Sequence, residues 1–475
     1  MRMEGMVAIF LAINVLTLWT TTEGTLNGLN GTSSGWQVYP GGSYHYGPTI
    51  MIEDNTTIHM WTCTPGTGPL AWDFIRYHYS NDNGHTWSAD EIALTPTSGT
   101  LDTYSVCDPS VVKIGAYYYI GYTSTANPTG AQNQVFLTRS LTPNGNYQKW
   151  NGSGWDSSHP QPIVAYHGSP TAYGIGEPSL VLKDDLVYVY YSDYDNTGTY
   201  TELSLARLNS TNQDTWPLDL QYKGHVIYRR TSLNEDSTDI KWCPELELFI
   251  GVTTINRFSS QATVGVYQST DQSGLQFQPT PYIGARVQEG AHNIGITGST
   301  AGWFHLQNQT HFVSYAYQPA GSSWANWPTF STPIEILHLP LGTVIDAQVS
   351  SNLNWTFSSP FTWDHDLSTY WSSVSNTSEF ITINVGEILS IKSLSLVPRT
   401  MGYGFPIDFS IRASNDSQNF IHILDQHYSS YTPVVNCSFP SVVDARYFQI
   451  LPITYGEDDH GTKLFQLAEV FVEVA

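Results

Sequence analysis

Apolar and polar positions along this chain alternate in short runs broken by turn residues, the period of strands rather than of helices. The clearest run is Cys107-Asp108-Pro109-Ser110-Val111-Val112-Lys113-Ile114, a turn at Gly115, then Tyr117-Tyr118-Tyr119-Ile120-Gly121-Tyr122. It predicts two antiparallel strands, since valine, isoleucine and tyrosine fill pleated surfaces and a proline is tolerated where the ladder has not yet begun. The pattern returns as Gly176-Glu177-Pro178-Ser179-Leu180-Val181-Leu182, turning at Lys183-Asp184-Asp185 into Leu186 to Asp193. Weaker copies start at Gly47-Pro48-Thr49, Asp239-Ile240-Lys241 and Glu289-Gly290-Ala291. Starts roughly 50 to 65 residues apart mark units of about four strands each. The expected fold is all-β: a five-bladed β-propeller over residues 25–340, with a pair of β-sandwiches as the plainer alternative.

Two units carry a second signature, Ser80-Asn81-Asp82-Asn83-Gly84-His85-Thr86-Trp87 and a degraded copy from Ser269 to Phe277. Such an Asp-box shapes a hairpin turn and packs its tryptophan between sheets, so its expected role is structural. Beyond Pro340 the repeat stops. Phe361-Thr362-Trp363-Asp364-His365-Asp366 leads to Trp371, then come strands at Phe380 to Gly386, Ile391 to Pro398, Phe409 to Asp416, Ala445 to Ile450 and Phe465 to Val472. In that order they resemble the discoidin, or coagulation factor 5/8 type C, domain over residues 341–475. The resemblance implies a galactose-binding-like jelly-roll β-sandwich, a module that often accompanies secreted carbohydrate-active enzymes.

Composition places the chain outside the cell. Met1-Arg2, an apolar run from Met6 to Trp19 and small polar residues to Gly24 read as a secretory signal over residues 1–24. The run is shorter than a membrane span needs, and no second candidate span follows. Sequons at Asn30, Asn55, Asn151, Asn209, Asn308, Asn354, Asn376, Asn415 and Asn436 suggest a glycoprotein. A formal net charge of -23 argues against nucleic acid or an anionic membrane as partner. Of Cys63, Cys107, Cys243 and Cys437, three precede the domain boundary, so at most one disulfide forms within the first domain.

The candidate chemistry sits where strands begin. In a propeller the innermost strands line a central channel, and Asp108, Glu177, Asp239, Glu245 and Glu289 all lie near their starts. Paired carboxylates around a funnel suit glycosidic cleavage, one protonated to assist the leaving oxygen and another ionised to activate water or attack. Asp108-Pro109-Ser110-Val111 and Glu177-Pro178-Ser179-Leu180 are similar to the strand starts of five-bladed propeller glycosidases, the arabinanase, β-xylosidase and invertase relatives. That resemblance implies Asp108 as base, Glu177 as the carboxylate that orients substrate and tunes its neighbours, and Glu245 or Glu289 as acid. No cofactor for catalysis is implied. Gly47 stands where the family has an Asp, and Glu289-Gly290-Ala291 only approximates its acid motif, so a catalytically silent lectin or adhesion protein is the alternative. A sialidase would need an arginine cluster that the sequence does not offer.

His45, Asp239, His292, Asn293, Trp303 and His305 are candidate sugar contacts in the first domain, with inter-blade packing as the plain reading of the aromatics. In the second, Trp355, Tyr403, Phe405, Tyr455 and His460 fall between strands and could face a sugar. Asp364, Asp366, Thr369 and Glu469 offer the hard oxygen ligands that suit a structural calcium ion, where discoidin-like modules often hold one. The expected partners are oligo- or polysaccharides, including cell-surface glycans.

Overall fold

The structure, a computed structural model, describes residues 26–31, 35–39, 43–54, 57–68, 71–194, 199–209, 211–229, 235, 237–257, 259, 262–280, 290–306, 310–317, 326–338, 344, 346–353, 357–362, 369–399, 402–429, 432 and 434–474. Among them the regular structure is β throughout, with only short 3-10 turns such as Trp216–Asp219. No helix of the described residues is long and apolar enough to cross a membrane. The signal segment lies outside them.

Antiparallel meanders follow one another along residues 46–338. The first runs Tyr46–Ile52, Ile58–Gly68, Ala71–Ser80, Glu91–Leu94; the second starts at Cys107–Ile114, the third at Gly174–Lys183, the fourth at Asp239–Cys243 and the fifth at Ala291–Ser299. Their first strands touch in a closed sequence, each against the next and the fifth against the first. The last contact is a parallel pairing, Thr297 opposite Ile50, which joins two meanders into one sheet. The strand Leu26–Gly31 pairs with Thr329–His338 and adds an outer strand to the fifth.

Apolar faces meet between neighbouring meanders. Trp61 and Ile75 pack with Val111 and Phe136, Tyr119 and Leu137 with Val189 and Trp216, and Tyr188 and Tyr190 with Trp242 and Phe249. Val252 and Val264 pack with Ile296 and Tyr315, and Phe312 with Ile50 and Met60. Each buried side chain of this size contributes about 1.5–3 kcal/mol, so the interfaces hold the first strands in place.

The Asp-box at Ser80 to Trp87 plays the structural part expected of it. Asp82 accepts from the Thr86 amide at 2.8 Å and hydroxyl at 2.6 Å, and the Trp87 indole donates to the Gly84 carbonyl at 2.9 Å. One disulfide, Cys63–Cys107, ties the second strand of the first meander to the start of the second meander. Cys243 and Cys437 are buried free thiols that burial pushes up to about 12, which leaves them unreactive at neutral pH.

Residues from 346 onward form a separate sheet system. Strands Asp346–Val349, Ile381–Val397, Val435–Thr454, Asp408–Ser414 and Ile421–His427 lie side by side, with Glu469–Val474 on Ile381–Val397. The arrangement fits a jelly-roll, with Trp371, Ile383, Phe409, Phe448 and Leu467 in its core.

Candidate active site

The strand starts converge on a narrow cavity lined by Gly47, Pro48, Thr49, Asp108, Pro109, Glu177, Pro178, Ser237, Thr238, Asp239, Asn293 and Ile294. A shared backbone device puts them there. Gly47 (φ 57°), Asp108 (φ 48°), Glu177 (φ 49°) and Asn293 (φ 42°) all take the left-handed region. Each sits in a register shift of its strand pair, between Tyr46 and Thr49, Cys107 and Ser110, Gly176 and Ser179, and His292 and Gly295. A bulge of this kind re-aims a side chain out of the ladder, and strained residues in it collect at functional sites.

The third residue of each start links its neighbour. Ser110 Oγ accepts the Leu180 amide at 2.8 Å, Ser179 Oγ the Ile240 amide at 2.8 Å, and Asp239 Oδ2 the Ile296 amide at 2.9 Å. Asp239 therefore corresponds to Ser110 and Ser179, and Ser237 to Asp108 and Glu177. The remaining oxygen of Asp239 accepts from Ser179 Oγ at 2.9 Å and from Lys241 Nζ. Asp239 edges the cavity, but its carboxylate is spent on holding strands together.

Glu177 is fixed from two sides. Tyr194 Oη donates to Oε2 at 2.8 Å, the Asn293 amide reaches Oε1 at 3.4 Å, and Arg229 Nη1 donates to Tyr194 Oη at 2.6 Å. Asp108 is half-buried, with Oδ1 3.4 Å from Cys107 Sγ.

Beside them lies a carboxyl that motif reading missed. Asp73, in the strand Ala71–Ser80, has an oxygen within 4.8 Å of Cys107 Sγ. One Asp73 oxygen and Asp108 Oδ1 are thus at most about 8 Å apart, an upper bound that admits the roughly 5–9.5 Å of glycosidase pairs, and Asp73 stands behind the residues that line the cavity rather than among them. Burial pushes the Asp73 carboxyl up, against hydrogen bonds to Tyr44 Oη at 2.5 Å and Ser105 Oγ at 2.7 Å. Tyr44 Oη also lies 2.9 Å from the Trp72 carbonyl, which can only accept. The tyrosine hydroxyl is thus shared between that carbonyl and Asp73 Oδ1. Its sequence signal was an acidic residue among Trp72, Phe74 and Ile75 in a strand. The group Cys63, Asp73 and Cys107 is no metal site here, because the sulfurs are bonded to each other.

The other expected residues divide. Asn293 joins the cavity, and His292 is buried behind it against Trp327 at 5.0 Å and Tyr46 at 6.1 Å. Glu245 lies in the turn after Asp239–Cys243, at the far end of that strand, and bonds His305 Nδ1 at 3.0 Å. Trp303 donates its indole to the Leu182 carbonyl at 2.5 Å and bridges to Trp242, which is packing between meanders. These three do not reach the cavity, because a strand of five residues carries the chain about 16 Å from its start. Glu289 lies outside the described residues. His45 faces a different crevice, taken up below.

In the C-terminal part, Tyr403 is on the surface, its ring 5.7 Å from the Arg399 guanidinium. Arg399 makes a two-pronged pair with Asp459, 3.0 Å on each arm, next to exposed His460. Phe405 is corrected to a core residue at 1% exposure. Tyr455 uses its hydroxyl to accept the Glu379 amide at 3.0 Å. Thr369 precedes the short strand Trp371–Ser372, which pairs with Gln466–Leu467, and Glu469, paired with Val397, is fully buried. Trp355, Asp364 and Asp366 lie outside the described residues.

Comparison with known proteins matches residues 346–469 to the F5/8 type C domain. Residues 346–469 are an F5/8 type C domain. No curated protein matches the chain. Among solved structures it is similar to a glycoside hydrolase at 13% identity, covering 92% of this chain and 99% of that one, TM-score 0.38. It is also similar to Zg3597, a family 117 glycoside hydrolase of the marine bacterium Zobellia galactanivorans, at 12% identity, covering 66% and 90%, TM-score 0.45. The F5/8 part is similar to the family 32 CBM from C. perfringens NanJ in complex with galactose, at 23% identity, covering 27% and 91%, TM-score 0.23.

Proposed function

We propose that this is a secreted glycoside hydrolase-like protein in which residues 46–338 form a five-bladed β-propeller and the F5/8 type C domain attaches the chain to glycans. The propeller reading is supported by five first strands in closed contact and by apolar interfaces between each meander and the next. The observation that carries the chemistry is a pair of carboxyls in unequal surroundings. Asp73, which burial holds toward its neutral form, lies within about 8 Å of half-buried Asp108. Asp73 gives its proton to the glycosidic oxygen, and Asp108 acts on the opposite side as base or nucleophile. Glu177, anchored by Tyr194, accepts hydroxyls of the sugar and places the ring. Arg399, Tyr403 and Asp459 offer the F5/8 domain a planar donor, an aromatic face and an acceptor for a second sugar contact.

A silent lectin built from the same parts is favoured by one observation, Gly47 at the start that should supply a further side chain. One experiment separates the readings. The full chain is assayed on a panel of aryl glycosides, and Asp108→Asn is compared with wild type on whichever responds. Hydrolysis by wild type, its loss in Asp108→Asn and an unchanged Tm support the hydrolase. Sugar binding without turnover of any substrate selects the lectin.

A further inference from the structure

A second crevice lies against the first meander, next to the start of its first strand at Tyr46 but separate from the central cavity. It measures about 690 Å³ and is lined by residues 37–39, 43 and 45 on one side and by Thr64, Arg76, His78 and the Asp-box turn through Asp90 on the other. That volume falls in the roughly 300–1,000 Å³ range of small-ligand sites. It shares no residue with the central cavity. Strand alternation explains why His45 comes here: Tyr44 and Tyr46 pack with the Cys63–Cys107 bridge, and the residue between them points the other way.

The wall is a built stack of rings. His45 lies on Tyr39 at 3.8 Å, Tyr39 on His78 at 4.3 Å, and His78 on Trp87 at 4.5 Å, nearly parallel at each step. His78 is sealed inside it at 0% exposure, and neither ring nitrogen has a hydrogen-bond partner among the described residues. Leaving a buried ring unpaired costs stability, so the stack is kept for its shape. Beside exposed His85 and Trp87, which is half-buried against the Phe312 cluster, the Arg76 guanidinium donates to Asp90 at 3.0 Å. His45 Nε2 is 3.9 Å from the same carboxylate, and burial brings that imidazole down to about 4, so it is neutral at physiological pH.

We propose that this crevice is a second carbohydrate site that takes one neutral sugar unit. The aromatic edge receives the C–H face of the ring, and the Arg76–Asp90 pair supplies a fixed donor and acceptor for adjacent hydroxyls. Because Arg76 is already neutralised by Asp90, the crevice offers no spare cation to a uronate or sialate carboxylate. The site is independent of the chemistry proposed for the strand starts, and holds whether that cavity cleaves or only binds.

Oxidative footprinting of the full chain tests it, because the readout is local to Trp87. The probes are methyl glycosides of galactose, glucose, mannose and xylose, with methyl glucuronide as the anionic control. One neutral glycoside at millimolar concentration is expected to slow Trp87 oxidation about two-fold or more, saturably. The protection persists in Asp108→Asn and disappears in Arg76→Gln, with Asp90→Asn as substitute if Arg76→Gln does not fold. The proposal is overturned if no neutral glycoside protects Trp87 in the folded wild type. It is equally overturned if glucuronide protects better, or if protection survives loss of the charged pair.

Discussion

Asp73→Asn tests the acid assigned above, because it keeps the shape of the side chain and removes its proton. Proton transfer to a leaving oxygen contributes about 10²–10⁴-fold, or roughly 3–5.5 kcal/mol of barrier, when that oxygen is a poor leaving group. The variant should therefore lose turnover of an alkyl or weakly activated aryl glycoside by about that factor. With a 2,4-dinitrophenyl leaving group, which departs unprotonated, the loss should shrink to about tenfold or less. The assay is kcat/KM for both substrates of the responsive sugar, wild type against variant. Equal losses on both would refute the assignment.

A second readout of Asp73→Asn does not depend on turnover. Burial raises the Asp73 carboxyl, so the folded chain binds its proton more tightly than the unfolded chain does. Stability from this group is fully present below the ordinary Asp value of 3.8 and is lost as pH rises through the folded pKa. Asparagine has no such decline, so Tm of the variant minus Tm of wild type should increase with pH above about 4. A difference that falls with pH instead would mean that Tyr44 and Ser105 hold Asp73 ionised, and the general acid would have to be sought elsewhere.

Two further changes follow from the same neighbourhood. Removing the Cys63–Cys107 bridge by paired serines frees a loop spanning 44 residues, worth about 4 kcal/mol on the chain-entropy estimate, read as a shift in the denaturant midpoint. Gly47→Ala places a Cβ at φ 57° and 3.2 Å from Asp108 Oδ1. It should cost about 1–2 kcal/mol in backbone strain and lower kcat by displacing Asp108; unchanged kcat and Tm would mean that the two starts are not coupled.

The two strand starts with an acidic residue before a proline, at Asp108 and Glu177, were legible because local chemistry fixes them: a carboxylate, a ring that cannot donate, then a strand. Asp239 does line the cavity, but it stands where its counterparts carry serine, two residues further in, and a count of carboxylates does not show that its oxygens hold neighbouring strands. Glu245 misled through its nearness in sequence to a strand only five residues long, whose other end faces the cavity. Asp73 was invisible for the opposite reason. It enters from the third strand of its meander, and only the folded path through Tyr44 and the disulfide sets it beside Asp108. The C-terminal family was readable because the order of its strands is itself the signature, whereas sugar contact there depends on which loop side chains stay exposed. Tyr403 does and Phe405, two residues on, does not.

Glu469 leads to the last prediction. A carboxylate at 0% exposure at the start of Glu469–Val474 needs a paired or coordinated environment, since bare burial of a charge is costly. Thr369 lies two residues before Trp371, whose partner Leu467 lies two residues before Glu469, and Asp364 and Asp366 precede Thr369 in sequence, a set of hard oxygen donors that suits calcium over magnesium, which gives up its water reluctantly. We therefore expect EDTA to lower the Tm of the F5/8 transition in the full chain, and calcium, not magnesium, to restore it. A ligand present at about 100 times its Kd adds about 2.7 kcal/mol, enough to move that transition by several degrees. Asp364→Ala should abolish the calcium response while leaving the transition of residues 46–338 in place. A transition indifferent to EDTA would make Glu469 an internal acceptor and remove calcium from this domain.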